Sequence, residues 1–363
     1  MNISKTVQLN DNHTISRVIK GGWQLAGDHG SVDRINAVAD MEAFLDAGIT
    51  TFDCADIYIG VEEMIGDFIG NLRRHRGHSV ANQVCVHTKL VPDLTRLPNL
   101  RPDEVEAIVD RSLQRLQVDQ LDLVQFYWWD LQLGNAVDSL NVLKDLKIKG
   151  KIKNLGTTNW DANAMDPFVR DGFDIVSAQV QYSILDRRPA GNLTEWAAKN
   201  SVQFLCYGTL AGGFLTENWL KKPDPGFIFQ NRSLIKYRLI IDEFGPWDRF
   251  QALLGTLKNI GDRHGVSIAA VASRFVLDQP QVAAAIVGAR YARHLPMTLE
   301  IFNIEFDDQD HAELDQILQQ SDGPTGEVFA LERDRNGRHG RIMKYNLNAK
   351  PNDQTFDSIS SDG

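Results

Sequence analysis

Asp53, Tyr58 and Lys89 supply a carboxylate, a phenol and an amine, each at or just beyond the end of a short apolar stretch. Ile49–Thr50–Thr51–Phe52–Asp53 leads to Tyr58 five residues later, and Val84–Cys85–Val86–His87–Thr88 leads to Lys89. A free phenol titrates near pH ~10, so alone it is a poor proton donor at neutral pH. A neighbouring ammonium stabilises the phenolate and lowers that value, and a carboxylate holds the ammonium in place. The three types together suit delivery of a proton to a reacting oxygen. A third apolar stretch, Leu121 to Phe126, brings a fourth group, Tyr127, to the same level. A lysine that ends an apolar strand points inward, where a buried cation needs a partner.

For these groups to meet, the strands that carry them must run parallel and end on one face. Strand-like and helix-like patterns alternate along the chain in the required way. The first strand ends near Gly21–Gly22–Trp23–Gln24, and Ser31–Val32–Asp33 opens a helix that runs to Ala47 and stops at Gly48. Further strands are expected over 49–53, 83–89, 121–127, 152–157, 175–180, 202–207 and 282–287. Helices are expected over 62–74, 102–117, 136–149, 161–170, 190–199, 267–278 and 308–319. About eight β-then-α units is the number that closes a parallel (β/α)8 TIM barrel. A doubly wound open sheet would announce a GxGxxG phosphate loop after its first strand, and none is present. On a barrel, every group named above falls on the C-terminal face, where such folds build their active sites.

Two segments break the rhythm. Residues 208–247 form a long, irregular stretch rich in Gly, Pro and aromatics, expected on the catalytic face. Residues 321–363 form an extension past a barrel spanning 1–320, with Gly323–Pro324 as a hinge and Pro351–Gly363 expected to be disordered. The 363 residues are 43% hydrophobic and 24% charged, with a formal charge of -10, which argues against a nucleic-acid partner. Cys54, Cys85 and Cys206 show no metal-like spacing and read as buried reduced thiols. No stretch approaches the ~20 apolar residues of a membrane span, and the N-terminus lacks a signal-type apolar run, so the expected address is the cytoplasm.

Five stretches resemble the aldo-keto reductase superfamily and occur in its order. They are Gly48 to Tyr58, His87–Thr88–Lys89, Lys149 to Trp160, Gln179 to Ser183, and Gly288–Ala289–Arg290. The resemblance implies the barrel, NADP(H) as cofactor, and a small-molecule carbonyl substrate. By position, Tyr58 would protonate the carbonyl oxygen as hydride reaches the carbon, Lys89 would lower its pKa, and Asp53 would pair with Lys89. Thr158, Asn159 and Gln179 match the residues that hydrogen-bond the nicotinamide carboxamide, and Tyr207 matches the aromatic stacked under the nicotinamide ring. Trp23, Gly208 and Leu210 belong with the same cofactor-binding set. Gly288, Arg290, His294 and Thr298 match the adenine-ribose phosphate site. Arg290 offers a fork of donors to a 2′-phosphate, which favours NADP over NAD.

One position departs from the pattern. Relatives usually carry histidine at the end of the fourth strand, where this chain reads Phe126–Tyr127–Trp128–Trp129. Alternation puts Leu123, Gln125 and Tyr127 on one face, so Tyr127 should point inward in place of that histidine. Three outcomes are open. Tyr127 donates a hydrogen bond to the carbonyl and shifts substrate choice; it hinders turnover and leaves an NADP-binding barrel with a regulatory or sensor role; or the barrel reduces an activated double bond. His29, in the loop after the first strand, is a surface residue or a second imidazole for the site. His87, one layer below Lys89, reads as a hydrogen-bonded core histidine. Trp23, Trp128, Trp129 and Trp219 suggest a pocket for an apolar or aromatic substrate, with Trp128 and Trp129 as its lining.

Overall fold

In the computed structural model, residues 3–26, 32–229, 231–288 and 290–348 are described. His29, Ala289 and Pro351–Gly363 therefore lie outside the described residues.

A short antiparallel hairpin, β1 (Thr6–Asn10) and β2 (His13–Ser16), precedes the barrel; nothing in the helix–strand rhythm announced it. Eight parallel strands then close on themselves: β3 (Val18–Gly21), β4 (Thr51–Asp53), β5 (Cys85–Leu90), β6 (Leu121–Phe126), β7 (Ile152–Thr158), β8 (Ile175–Gln181), β9 (Gln203–Tyr207) and β10 (Val282–Val287). Strand β10 pairs with both β9 and β3, which completes the (β/α)8 barrel expected from the alternation. The strands are nearly continuous apolar runs because helices cover their outer faces, as in the fully buried β10.

Helices α1 (Arg34–Asp46), α2 (Val61–His75), the short α3 (His78–Ala81), α4 (Pro102–Leu116), α5 (Ala136–Ile148), α6 (Ala162–Arg170) and α7 (Asn192–Asn200) follow successive strands. Their starts are set locally. Asp33, Asn135 and Asp161 accept hydrogen bonds from backbone N–H groups of the first turn, and Pro102 opens α4. The stretch expected to be irregular contains a helix, α8 (Arg232–Phe244), capped by Asn231, and α9 (Trp247–His264) follows where no element was expected. Then come α10 (Ile268–Leu277), α11 (Leu295–Leu299) and α12 (Asp308–Leu318). Past α12 the chain turns back over the barrel and includes α13 (Ala330–Arg333).

The hairpin plugs the barrel floor. Leu9 and Ile15 pack on Ile19, Leu123, Leu205 and Ala284 inside the barrel, and Gln203 donates to the carbonyls of Gln8 and Leu9. His13 and His87 meet through their Nε2 atoms at 3.0 Å, so His87 is the hydrogen-bonded core residue expected. Folding also brings donor atoms of His13, Cys85 and Asp122 within 4.8 Å of one another, a juxtaposition that sequence spacing does not reveal.

Burial, with help from Lys153, lowers the pKa of His13 to about 4, and His87 is lowered too. The native state thus resists a proton that the unfolded chain accepts near pH ~6.5. This contribution is complete above pH ~6.5 and is lost as pH falls toward 4, by roughly 3 kcal/mol for His13. Urea unfolding at pH 7.5 and 4.5 is expected to show that loss, and His13→Gln to reduce it.

Candidate active site

Register and alternation bring the expected groups together. On β5, Cys85, His87 and Lys89 face one way, while Thr88 faces out and donates to Glu62 of α2 at 2.7 Å. Lys89 Nζ donates to Asp53 Oδ1 at 2.6 Å and to the Cys54 carbonyl at 2.7 Å, and both side chains are buried. The other carboxylate oxygen accepts from Gln125 Nε2 at 3.1 Å and Gln179 Nε2 at 2.6 Å. Asp53 is thus held by strands β5, β6 and β8, and its charge is matched by one ammonium. Burial disfavours the Lys89 cation, but Asp53 and Tyr58 outweigh that and raise its pKa. Lys89 therefore stays charged at neutral pH.

Tyr58 sits in the turn after β4, its ring centroid 4.9 Å from Lys89 Nζ and 4.9 Å from the Trp23 ring. Lys89 does act to lower the Tyr58 pKa, as expected, but it does not prevail. Burial dominates and pushes the phenol above its ordinary value, with Lys89 opposing and Asp53 adding to the rise. The cost of burying a phenolate outweighs the attraction of the ammonium, which Asp53 offsets in part.

The Tyr127 backbone N–H donates to the Leu90 carbonyl, and its ring packs edge-on against Trp129 at 4.7 Å and Phe329 at 6.2 Å. Its hydroxyl is buried and has no hydrogen-bond partner among the described residues. The four tryptophans do not form one pocket. Trp128 is buried against Phe126, with its indole N–H on the Leu133 carbonyl, and Trp129 donates to Pro92 O and packs on Tyr345. Trp219 belongs to a separate core with Phe214 and Trp247. Tyr127, Trp128 and Trp129 do line a cleft of about 470 Å³, closed by Arg333, Arg335 and Tyr345 from the returning C-terminal segment.

That segment fastens to the barrel rim after four successive strands. Asn348 bonds Asp93 and Val91, Arg335 pairs with Asp130, Arg333 bonds Asp161 and the Asn159 carbonyl, and Glu332 pairs with Arg188. Arg188 is buried between two carboxylates: Asp186 at 2.7–2.9 Å and Glu332 at 3.1–3.2 Å. Phe329, at φ 62°, is wedged beside Tyr127.

The residues matched to a cofactor site are more varied. Thr158 ends β7, buried, and Asn159 is left-handed at φ 58°. Asn159 accepts from the Tyr207 hydroxyl at 2.7 Å, so these two are bonded to each other, and the Gln179 amide donates to Asp53. Gly208 has φ 77°, and a Cβ there would lie 2.8 Å from the Tyr237 hydroxyl, so glycine lets α8 approach the end of β9. Leu210 is half-buried in the turn that follows. Trp23 donates its indole N–H to Ser233 at the start of α8. A Cβ on Gly288 would lie 2.2 Å from the Gln24 amide, whose Oε1 is buried and without a partner among the described residues. The guanidiniums of Arg290 and Arg293 both stack on Tyr291, at 5.2 and 4.5 Å, making a local cationic cluster. His294 accepts from Arg293, while the Thr298 hydroxyl donates to the carbonyl of His294 in its own helix.

Gln125, Arg293, Lys236 and Phe329 were not identified from sequence. Gln125 shares the inward face of Leu123 and Tyr127, and Arg293 closely follows Arg290 in the chain, so both had a readable signal. Lys236 and Phe329 reach the mouth only through tertiary packing.

Residues 17–319 match the model of the Aldo/keto reductase family. The chain is 29% identical to Aldo-keto reductase YhdN of Bacillus subtilis (strain 168) over 325 residues, covering 86% of this chain and 93% of that protein. It is 27% identical to the NADH-specific methylglyoxal reductase of Escherichia coli (strain K12) over 324 residues, covering 82% and 93%. Among solved structures, it resembles the glycerol dehydrogenase AKR11B4 from Gluconobacter oxydans with a TM-score of 0.70 and 27% identity, over 89% of this chain and 98% of that one. No helix among the described residues is long and apolar enough to cross a membrane.

Proposed function

The chain belongs to the aldo/keto reductase family, and from that premise we propose that it is an NADPH-dependent oxidoreductase that reduces an aldehyde or ketone to an alcohol. The observation that carries this reading is the buried Asp53–Lys89 pair beneath the Tyr58 phenol at the mouth of the barrel. Tyr58 gives its hydroxyl proton to the carbonyl oxygen, and the Lys89 ammonium stabilises the phenolate left behind. Asp53 keeps Lys89 charged and aimed, and Gln125 and Gln179 fix the carboxylate. The unpartnered Tyr127 hydroxyl is a second donor for the carbonyl oxygen.

The mouth offers fitting groups for a dinucleotide: the orphaned Gln24 amide oxygen against Gly288, the Arg290 and Arg293 cluster, and the Asn159–Tyr207 pair with Thr158. NADPH, when bound, supplies the hydride. Trp23, Gly208 and Leu210 frame the same groove, with His294 and Thr298 at its basic end. The substrate is a small molecule, and Trp129 with Tyr127 gives its cleft an aromatic wall. Three free thiols suit a reducing compartment, and we place the protein in the cytoplasm, with the segment from 321 onward as an extension of a barrel over 1–320.

A second reading, an NADP-binding barrel with weak turnover and a regulatory role, draws on the C-terminal segment crossing the rim, whose Phe329 packs edge-on against Tyr127.

Tryptophan-fluorescence titration tests the cofactor assignment. NADPH is expected to quench and to bind more tightly than NADH. Arg290→Met should weaken NADPH by about 10–100-fold, the worth of a hydrogen bond to a charged group, with a smaller effect on NADH. Quenching by neither nucleotide would sink the reading. Because one relative carries an NADH-specific name, both nucleotides belong in the comparison.

A further inference from the structure

We propose that Lys236 is the anion-recognition residue of the substrate site, receiving a carboxylate carried by the carbonyl compound. The proposal rests on the carbonyl-reduction reading above. Helix α8 is fastened over the mouth at its first turn, where the Trp23 indole N–H bonds Ser233, one residue past the helix start. The next turn hangs Lys236 and Tyr237 toward the end of β9, and Gly208 leaves room for the Tyr237 ring.

Lys236 Nζ lies 5.1 Å from the Tyr207 centroid, 5.5 Å from Phe329 and 5.8 Å from Tyr237. Among the described residues it has ring faces for company but no hydrogen-bond acceptor and no ion-pair partner. The carboxylates whose charge reaches it, Glu332 and Asp186, are both bonded to Arg188. Packing accordingly lowers its pKa from the ordinary lysine value. Ring faces stabilise a cation only partly, so the ammonium is left with capacity for an anion that the protein does not supply.

The position favours a substrate anion over a dinucleotide phosphate. The guanidinium cluster suited to phosphate stands elsewhere, after β10, whereas Lys236 shares its neighbours Tyr207 and Phe329 with Asn159 and Tyr127 of the reaction end. The four-carbon lysine stem lets the charge leave the Tyr207 face when a ring stacks there, while α8 keeps it over the mouth. Aromatic walls on three sides suit an aryl or short alkyl spacer between carboxylate and carbonyl.

Matched probes test this: 4-carboxybenzaldehyde and methyl 4-formylbenzoate, reduced with NADPH by the full-length wild type, Lys236→Met and Lys236→Arg. Lys236→Met is expected to lower the acid-to-ester ratio of kcat/KM by about 10–100-fold, mainly through KM for the acid, and Lys236→Arg to restore most of it. In parallel, tryptophan fluorescence measures binding of the alcohol product, 4-(hydroxymethyl)benzoate, and of NADPH without requiring turnover. An unchanged acid-to-ester ratio in Lys236→Met overturns the proposal. So does a loss confined to NADPH affinity, which would assign the ammonium to a phosphate of the dinucleotide. Failure of the wild type to reduce either aldehyde, with Lys236-dependent binding of the carboxylate intact, would sink the carbonyl-reduction reading and keep the anion site. Failure of both sinks both.

Discussion

Tyr58→Phe is expected to lower kcat for carbonyl reduction by about 10²–10⁴-fold while leaving NADPH-induced quenching in place. The substitution deletes one oxygen at a half-buried ring and leaves the Lys89–Asp53 pair intact, so folding should be little changed. The raised pKa of Tyr58 sets the pH behaviour. A phenol held above its ordinary ~10 is fully protonated at neutral pH, so the reductive rate should be flat across neutrality and fall only in strongly alkaline solution. Pre-steady-state kinetics from pH 6 to 10 checks both points. A variant as active as wild type removes Tyr58 from the chemistry. Tyr127→His supplies the control at the neighbouring position. If activity emerges only in that variant, Tyr127 obstructs the site, and the weak-turnover reading gains over the reductase reading.

Arg188→Met is the substitution expected to damage the fold most. The guanidinium is buried between Asp186 and Glu332, and burial is outweighed by those two carboxylates, which raise its pKa. Removing it leaves two buried anions facing each other, with Gln181 as the remaining side-chain donor to Asp186. Breaking a buried pair in this way costs about 3–5 kcal/mol. The loss should be concentrated where the C-terminal segment crosses the rim, since Glu332 is its deepest anchor. Urea unfolding gives the global cost, and hydrogen exchange over residues 325–345 locates it. Protection in that segment equal to wild type would show that the Arg333, Arg335 and Asn348 contacts suffice.

The barrel was readable because each unit repeats one local rule: an apolar run, a cap, an amphipathic helix. Asp53, Lys89 and Tyr127 were placed by the same rule, since alternation from a known strand end decides which side chains face inward. What escaped was set by packing between distant segments. The β1–β2 hairpin is too short and mixed in polarity to stand out, and α8 begins inside a stretch whose Gly, Pro and aromatic content looks irregular. The net rise of the Tyr58 pKa was not legible because sequence shows that a lysine and a carboxylate are near, but not how deeply the phenol is buried. Trp219 looked like a pocket residue because its packing on Phe214 and Trp247 is hidden among other apolar positions, whereas Trp128 lines the cleft while also packing on Phe126.

The order in which the rim is fastened has a consequence for synthesis. A chain made from its N-terminus closes the barrel only when Val282–Val287 emerges to join β3 and β9. At that moment Asp53, Lys89 and Tyr58 can already stand in place, but Phe329, Glu332 and Arg333 have yet to leave the ribosome. The groups to which the proposed mechanism assigns the reaction therefore exist for an interval under an unroofed mouth. The roof arrives last, so a nascent barrel is chemically armed before it is selective.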